Sequence, residues 1–180
     1  MDGPTIIVKS NAQDCVGNTM NDGKVVVHGN AGDALGYGMR GGRLFIKGDV
    51  GYRVGIHMKA YMDKNPVLIA GGFARDFLGE YMAGGLLIVL GLNRHNPVVG
   101  KFIGTGTHGG AIYIRGKVEG HQVAKEAIIS ELTTEDEKTL ETHLKEYCEH
   151  FNYGLDEILG GKFIKLIPTS HRPYGNLYSY

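Results

Sequence analysis

Short apolar runs, each bounded by glycine, recur along the first two thirds of the chain at residues 24–28, 43–47, 67–70, 86–90 and 111–115. Their starts, at 24, 43, 67, 86 and 111, are separated by 19, 24, 19 and 25 residues. Each run holds four or five residues dense in Val, Ile and Leu. Helices need more length than that and tolerate glycine poorly, so these runs predict strands. A further strand is predicted at 5–9 (TIIVK), where β-branched residues follow a proline.

A second pattern precedes each run. In the stretch 32–48, GDALGYGMRGGRLFIKG, a Gly-x-x-x-Gly-x-Gly-Met segment leads through a Gly-Gly pair into the strand. Comparable segments begin at Asp14, Gly51, Asp76 and Gly104, the last with Thr107 where the others carry methionine. Self-similarity at a period near 20 residues indicates a repeat architecture, in which one unit cannot bury its apolar side chains but a stack can. Short extended pieces with glycine corners predict an all-β fold: a single-stranded right-handed parallel β-helix of glycine-rich repeats over residues 1–125. A C-terminal helical cap and tail at 126–180 would pack on it. The repeat glycines Gly36, Gly38, Gly42, Gly55, Gly79, Gly85, Gly104, Gly106 and Gly110 are assigned to corners that need a positive φ or no Cβ. Met20, Met39, Met58 and Met82 fall at one offset, which predicts a line of adaptable core filler.

The repeats differ where residues are inserted. The third lacks its Gly-Gly pair and runs through 59–66; the fifth carries an insertion at 92–101. Such insertions are either a binding side or plain surface loops. Beyond Gly120 the periodicity changes. Thr134 to Glu137 reads as a capping box, and Leu140, Leu144, Tyr147, Cys148 and Phe151 follow at helical spacing. A helix over 134–152 is predicted, with Gly154 as its C-cap, then a short helix at 155–159 and a strand at 163–167.

Composition narrows the chemistry. Glycine is 29 of 180 residues, and 24 of these lie between Gly17 and Gly120, following the repeat. Lys+Arg and Asp+Glu are both 19. No basic excess suggests a nucleic-acid partner. No apolar run is long enough to suggest a membrane span, and no leader is read at the N-terminus. Cys15 and Cys148 stand apart, as expected of reduced, packed thiols in a cytoplasmic protein. They supply no iron–sulfur or four-cysteine zinc site. Gly36-Tyr-Gly38 and Gly104-Thr-Gly106 lack the following helix that a dinucleotide fingerprint needs. The histidines (28, 57, 95, 108, 121, 143, 150, 171) occupy different repeat offsets, which disfavours a metal site. Asp14, Asp33 and Asp76 share one offset; turn chemistry is preferred there over a cation ladder. No catalytic, cofactor-binding or metal-binding residue is assigned.

The frame G-D-x-x-G-x-x-M-x-G-G with its trailing strand resembles the GXGXG domain, the third and C-terminal domain of the glutamate synthase large subunit, over about 14–118. The most specific segment is GEYMAGGLLIVLG at 79–91, and the tail IPTSHRPYG at 167–175 is similar to stand-alone forms of that domain. One of the chains of formylmethanofuran dehydrogenase shares the repeat. The resemblance implies a non-catalytic scaffold in a glutamate synthase-like oxidoreductase of the NADPH or ferredoxin type, which transfers the glutamine amide nitrogen to 2-oxoglutarate. Its partners would be glutaminase-like and FMN synthase-like subunits. FMN and the iron–sulfur cluster would belong to those partners, with no cofactor in this chain. A homo-oligomer stays open, as do a formylmethanofuran dehydrogenase-like assembly and a stand-alone β-helix enzyme. In the tail, Arg172 and Tyr174 are candidate interface residues, the alternative being an intramolecular strap.

Overall fold

The computed structural model describes residues 3–94 and 97–170. The strands are β1 (Thr5–Val8), β2 (Lys24–Val27), β3 (Arg43–Ile46), β4 (Val67–Ala70), β5 (Ala83–Val89), β6 (Gly109–Arg115), β7 (Ala127–Ser130) and β8 (Phe163–Pro168). Two helices, α1 (Thr134–Phe151) and α2 (Leu155–Leu159), lie between β7 and β8. All eight strands form one sheet in the order β1-β2-β3-β4-β5-β6-β8-β7.

The five ladders from β1 to β6 are parallel and follow the repeat, from Thr5 opposite Lys24 to Leu86 opposite Ala111. The last two ladders are antiparallel: β8 returns along β6, with Tyr113 opposite Lys165, and β7 pairs with β8. The expected all-β parallel β-helix is therefore corrected. The structure is a single mixed sheet with helices on one face. The physical reason lies in the return path of each repeat. Three residues of every glycine corner hold left-handed dihedrals, such as Ala34, Gly36 and Gly38. Such a path is not pleated: the return segments are joined repeat to repeat by turn hydrogen bonds, such as the Gly36 amide to the Val16 carbonyl and the Gly55 amide to the Leu35 carbonyl, and by isolated bridges such as Val50 with Ala74 and Ala74 with Val99.

Alternation along the strands separates two cores. Val27, Leu44, Ile46, Leu68, Leu87 and Ile112 face the stacked turns, which contribute Leu35, Val54, Leu78 and Ile103. Val26, Phe45, Ile69, Ile88 and Tyr113 face the helices and meet Leu140, Leu144, Tyr147 and Phe151 of α1. The sheet is thus a middle layer between turns and helix.

The cap of α1 shifts by one residue from the sequence expectation. Thr133 is the N-cap and shares a reciprocal capping box with Asp136. Asn152, left-handed at φ 58°, closes the helix, while Gly154 caps the start of α2. Among the described residues no helix is long and apolar enough to cross a membrane.

Candidate functional site

The corner recurs five times along the parallel part of the sheet, at 15–19, 34–38, 53–57, 77–81 and 102–106. All nine glycines singled out above have positive φ, from 57° at Gly38 to 95° at Gly85. The second glycine of each pair has a steric reason as well. A methyl added at Gly42 would stand 2.7 Å from Met20 Cε, one at Gly85 3.0 Å from Met58 Cε, and one at Gly110 2.5 Å from Met82 Cε. Each methionine of the preceding repeat therefore fills the space that the glycine leaves. Met39, Met58 and Met82 are fully buried, and Met20 packs at the margin of the same core. Thr107, at the methionine offset, is buried and donates its hydroxyl to the Met82 carbonyl at 3.1 Å.

Short acceptors stitch one repeat to the next. Asp14 Oδ1 accepts from the Asp33 amide, and Asp33 Oδ1 from the Tyr52 amide, both at 2.8 Å. A second line runs from Asn11 to the Asn30 amide at 2.9 Å, from Asn30 to the Asp49 amide at 2.8 Å, and from Asp49 to the Phe73 amide at 2.8 Å. Asp76 accepts from the Lys101 amide at 2.8 Å. Burial raises the Asp49 pKa, but the Phe73 amide together with Asn93 and Arg94 outweighs it and holds the carboxyl below its usual range. The 92–101 insertion contributes here: Arg94 pairs with Asp49 at 3.1 Å and lies 4.7 Å over the Phe73 ring. Turn and inter-repeat chemistry thus occupies the shared aspartates. Among the described residues no group of three or more His, Cys, Asp or Glu side chains could hold a metal.

Sequence reasoning missed the outer positions of the corner. In every repeat the residues two before and two after the central glycine are also left-handed. Eight of these are not glycine: Cys15, Thr19, Ala34, Arg53, His57, Phe77, Tyr81 and Phe102, at φ between 51° and 63°. The signal was available in the repeat alignment, where these side chains fall at fixed offsets. They line up on the outside of the turn layer. Phe77 stacks on Phe102 with centroids 5.0 Å apart, and His57 stacks on Tyr81 at 5.2 Å. The Arg53 guanidinium lies 4.9 Å over Phe77 and pairs with buried Glu80. Tyr37 meets His57 edge-on at 5.7 Å.

The remaining expected candidates scatter. Cys15 is exposed, not packed as expected, because it occupies a left-handed outer position; Cys148 is on the buried face of α1 and its thiol is pushed up by burial. His28, His143 and His150 are held low chiefly by burial, and the His143 Nδ1 has no hydrogen-bond partner. His95, His171, Arg172 and Tyr174 lie outside the described residues.

A stack of glycine-cornered repeats, knit by side-chain acceptors and floored by methionine, defines a glycine-turn repeat protein. The family model described as GXGXG motif matches residues 1–169, and the chain belongs to that family. The spacing in the motif's name is the spacing of the three left-handed positions found in each repeat. An uncharacterized protein of Methanocaldococcus jannaschii (MJ1350) is 54% identical over 186 residues, covering 99% of this chain and 71% of that protein. Among solved structures, a chain of the formyltransferase/hydrolase complex from Methylorubrum extorquens, in complex with methylofuran, aligns with a TM-score of 0.44. It shares 16% identity, and the alignment covers 86% of this chain and 69% of that one.

Proposed function

We propose that this chain is the non-catalytic scaffold subunit of a glutamate synthase-like complex. It would hold a glutaminase-type subunit and an FMN-dependent synthase-type subunit together while amide nitrogen passes from glutamine to 2-oxoglutarate. Family membership across residues 1–169 supports the reading. The observation that carries it is the fate of the aligned polar side chains. Asp14, Asp33, Asp49 and Asp76 each accept a backbone N–H of the neighbouring repeat. A carboxylate committed to that bond stiffens the stack and is poorly placed for proton transfer. Flavin and iron–sulfur chemistry would reside in the partner subunits.

The test is spectroscopic. The chain purified alone should show no flavin absorbance and no iron–sulfur charge-transfer bands, and should acquire both only when co-purified with its partners. A stoichiometric flavin on the isolated chain would contradict the proposal.

A further inference from the structure

We propose that the β1 end of the sheet is an interface for the same end of a second copy of this chain, joined by antiparallel pairing of the two β1 strands about a two-fold axis. Such a dimer requires only the fold and holds whether or not the scaffold reading does.

The first observation is that the stack is open at this end. Val8, Ala12, Val16 and Met20 of the first repeat are only partly buried, whereas Val27, Ala31, Leu35 and Met39, one repeat on, are buried. Ile6, on the turn side of β1, is 52% exposed, and Ile7, on the helix side, is 48% exposed. The backbone is open as well. The Lys24 amide donates to the Pro4 carbonyl and the His28 amide to the Val8 carbonyl, so the even positions of β1 are turned toward β2. The amides and carbonyls of Thr5 and Ile7 therefore face away from the sheet. Terminal repeats that end in water carry a polar outer face, and exposed edge strands carry Lys or Pro within them. The strand Thr5–Val8, TIIV, has neither.

The second observation is that this end complements itself. A two-fold axis perpendicular to the sheet sets turn layer beside turn layer and helix side beside helix side, so the two open cores meet. A register centred on Ile6 puts Thr5 opposite the second copy's Ile7 and Gly3 opposite its Lys9. The outward amides and carbonyls of Thr5 and Ile7 then pair with one another. Charge fits the same register. Lys9 is exposed at one end of β1. At the other end Gly3 lies against Asp22: a methyl on Gly3 would stand 2.7 Å from the Asp22 carbonyl carbon. Asp22 pairs with Lys64 at 2.9 Å and its side chain stays 50% exposed, while nearby Lys24 is engaged by Glu146. The axis brings Lys9 of each copy to Asp22 of the other, with no side chain on Gly3 between them.

The opposite edge of the sheet does not offer the same fit. β7 exposes Ile128 and Ile129, but the core beside it is closed, with Ile103, Leu166 and Ala127 all buried. Joining β1 to β7 of the next copy would leave the first repeat's core facing a closed one and would build an open filament. Like ends close at two copies.

The experiment uses the full chain, sedimentation across a concentration series, and amide hydrogen exchange. The wild type should be a dimer that dissociates on dilution, and Ile7→Lys should be a monomer. Lys9→Glu and Asp22→Lys should each raise the dimer dissociation constant about tenfold, and the two together should recover most of the loss. All these side chains are exposed, so melting temperatures of the monomeric forms should match. The Thr5 and Ile7 amides should exchange slowly in the dimer and fast in Ile7→Lys, at every position but the substituted one. A monomeric wild type, growth into filaments, or an Ile7→Lys variant that dimerises as tightly as the wild type would overturn the proposal. So would charge variants whose losses add instead of cancelling, or a dimer in which the Thr5 and Ile7 amides still exchange fast. A chain that stays monomeric yet co-purifies with glutaminase- and synthase-type subunits would remove the dimer and leave the scaffold.

Discussion

At the central glycine of each corner, two constraints coincide. Gly79 has φ 69°, and a methyl there would stand 2.6 Å from Ile112 Cδ1; Gly36 has φ 64° with Leu68 Cδ1 at 2.9 Å. Alanine must bear both the left-handed strain and a displaced core side chain. Gly79→Ala and Gly36→Ala should each destabilise by more than ~1 kcal/mol. For a chain of this length that lowers the melting temperature by about 3 °C or more, readable by calorimetry. An unchanged melting temperature would remove the steric account. The outer positions follow the opposite logic, since each non-glycine residue there costs ~1–2 kcal/mol relative to glycine. This contrast was only half legible in the sequence. Glycine at a fixed offset announces a positive φ, whereas Arg53, Phe77 and Tyr81 announce nothing of the kind. Their dihedrals are imposed by the neighbouring repeats, which bond to the same backbone: the Arg53 amide donates to the Asp76 carbonyl and the Tyr81 amide to the Thr105 carbonyl. Intrinsic preference is overridden by a stack that determines the path.

At the scale of elements, strand positions were readable because the spacing that locates the runs also sets the register: Lys24 pairs with Arg43, Arg43 with Val67, and Val67 with Leu86. The helix was readable from its apolar stripe, but its cap was not. Thr133-x-x-Asp136 and Thr134-x-x-Glu137 both fit the capping pattern. The choice falls to Asp136 because its carboxylate is also claimed from outside the helix. Tyr113 of β6 donates to it at 2.6 Å and Lys165 of β8 at 2.9 Å, tying two strands to α1. Burial opposes its charge, yet the bonds from Lys165, Tyr113 and Thr133 prevail and hold its pKa far below the usual carboxylate value. A carboxyl depressed in the folded state stabilises above its unfolded pKa and loses that contribution as pH falls toward the folded value. The account predicts urea stability that declines below about pH 4 in the wild type and declines less steeply in Asp136→Asn. At neutral pH, Asp136→Ala should cost about 3 kcal/mol, because Lys165 and Tyr113 lose their partner inside the core. Parallel acid profiles for wild type and Asp136→Asn would contradict this role.

For the whole molecule, the sequence implied a stack but not its closure. Nothing in the 19–25 residue period says that the chain returns after Arg115 to lay β8 antiparallel on β6, with β7 beyond it. That pairing joins residues about 50 positions apart and depends on where α1 docks. The resulting layers have distinct tasks. Strands and methionines hold the middle, α1 seals one face, and the turns carry a strained, aromatic outer surface on the other. A body so rigidly knit, with its aligned aspartates bonded to backbone, is suited to hold other subunits at fixed separation. The most direct measurement is the mass of the assembly formed when glutaminase-type and FMN synthase-type subunits are co-expressed with and without this chain. The account predicts one co-eluting complex of all three, and separate elution of the two catalytic subunits when this chain is omitted. Association of those two subunits to the same extent in its absence, or elution of this chain apart from both, would contradict it.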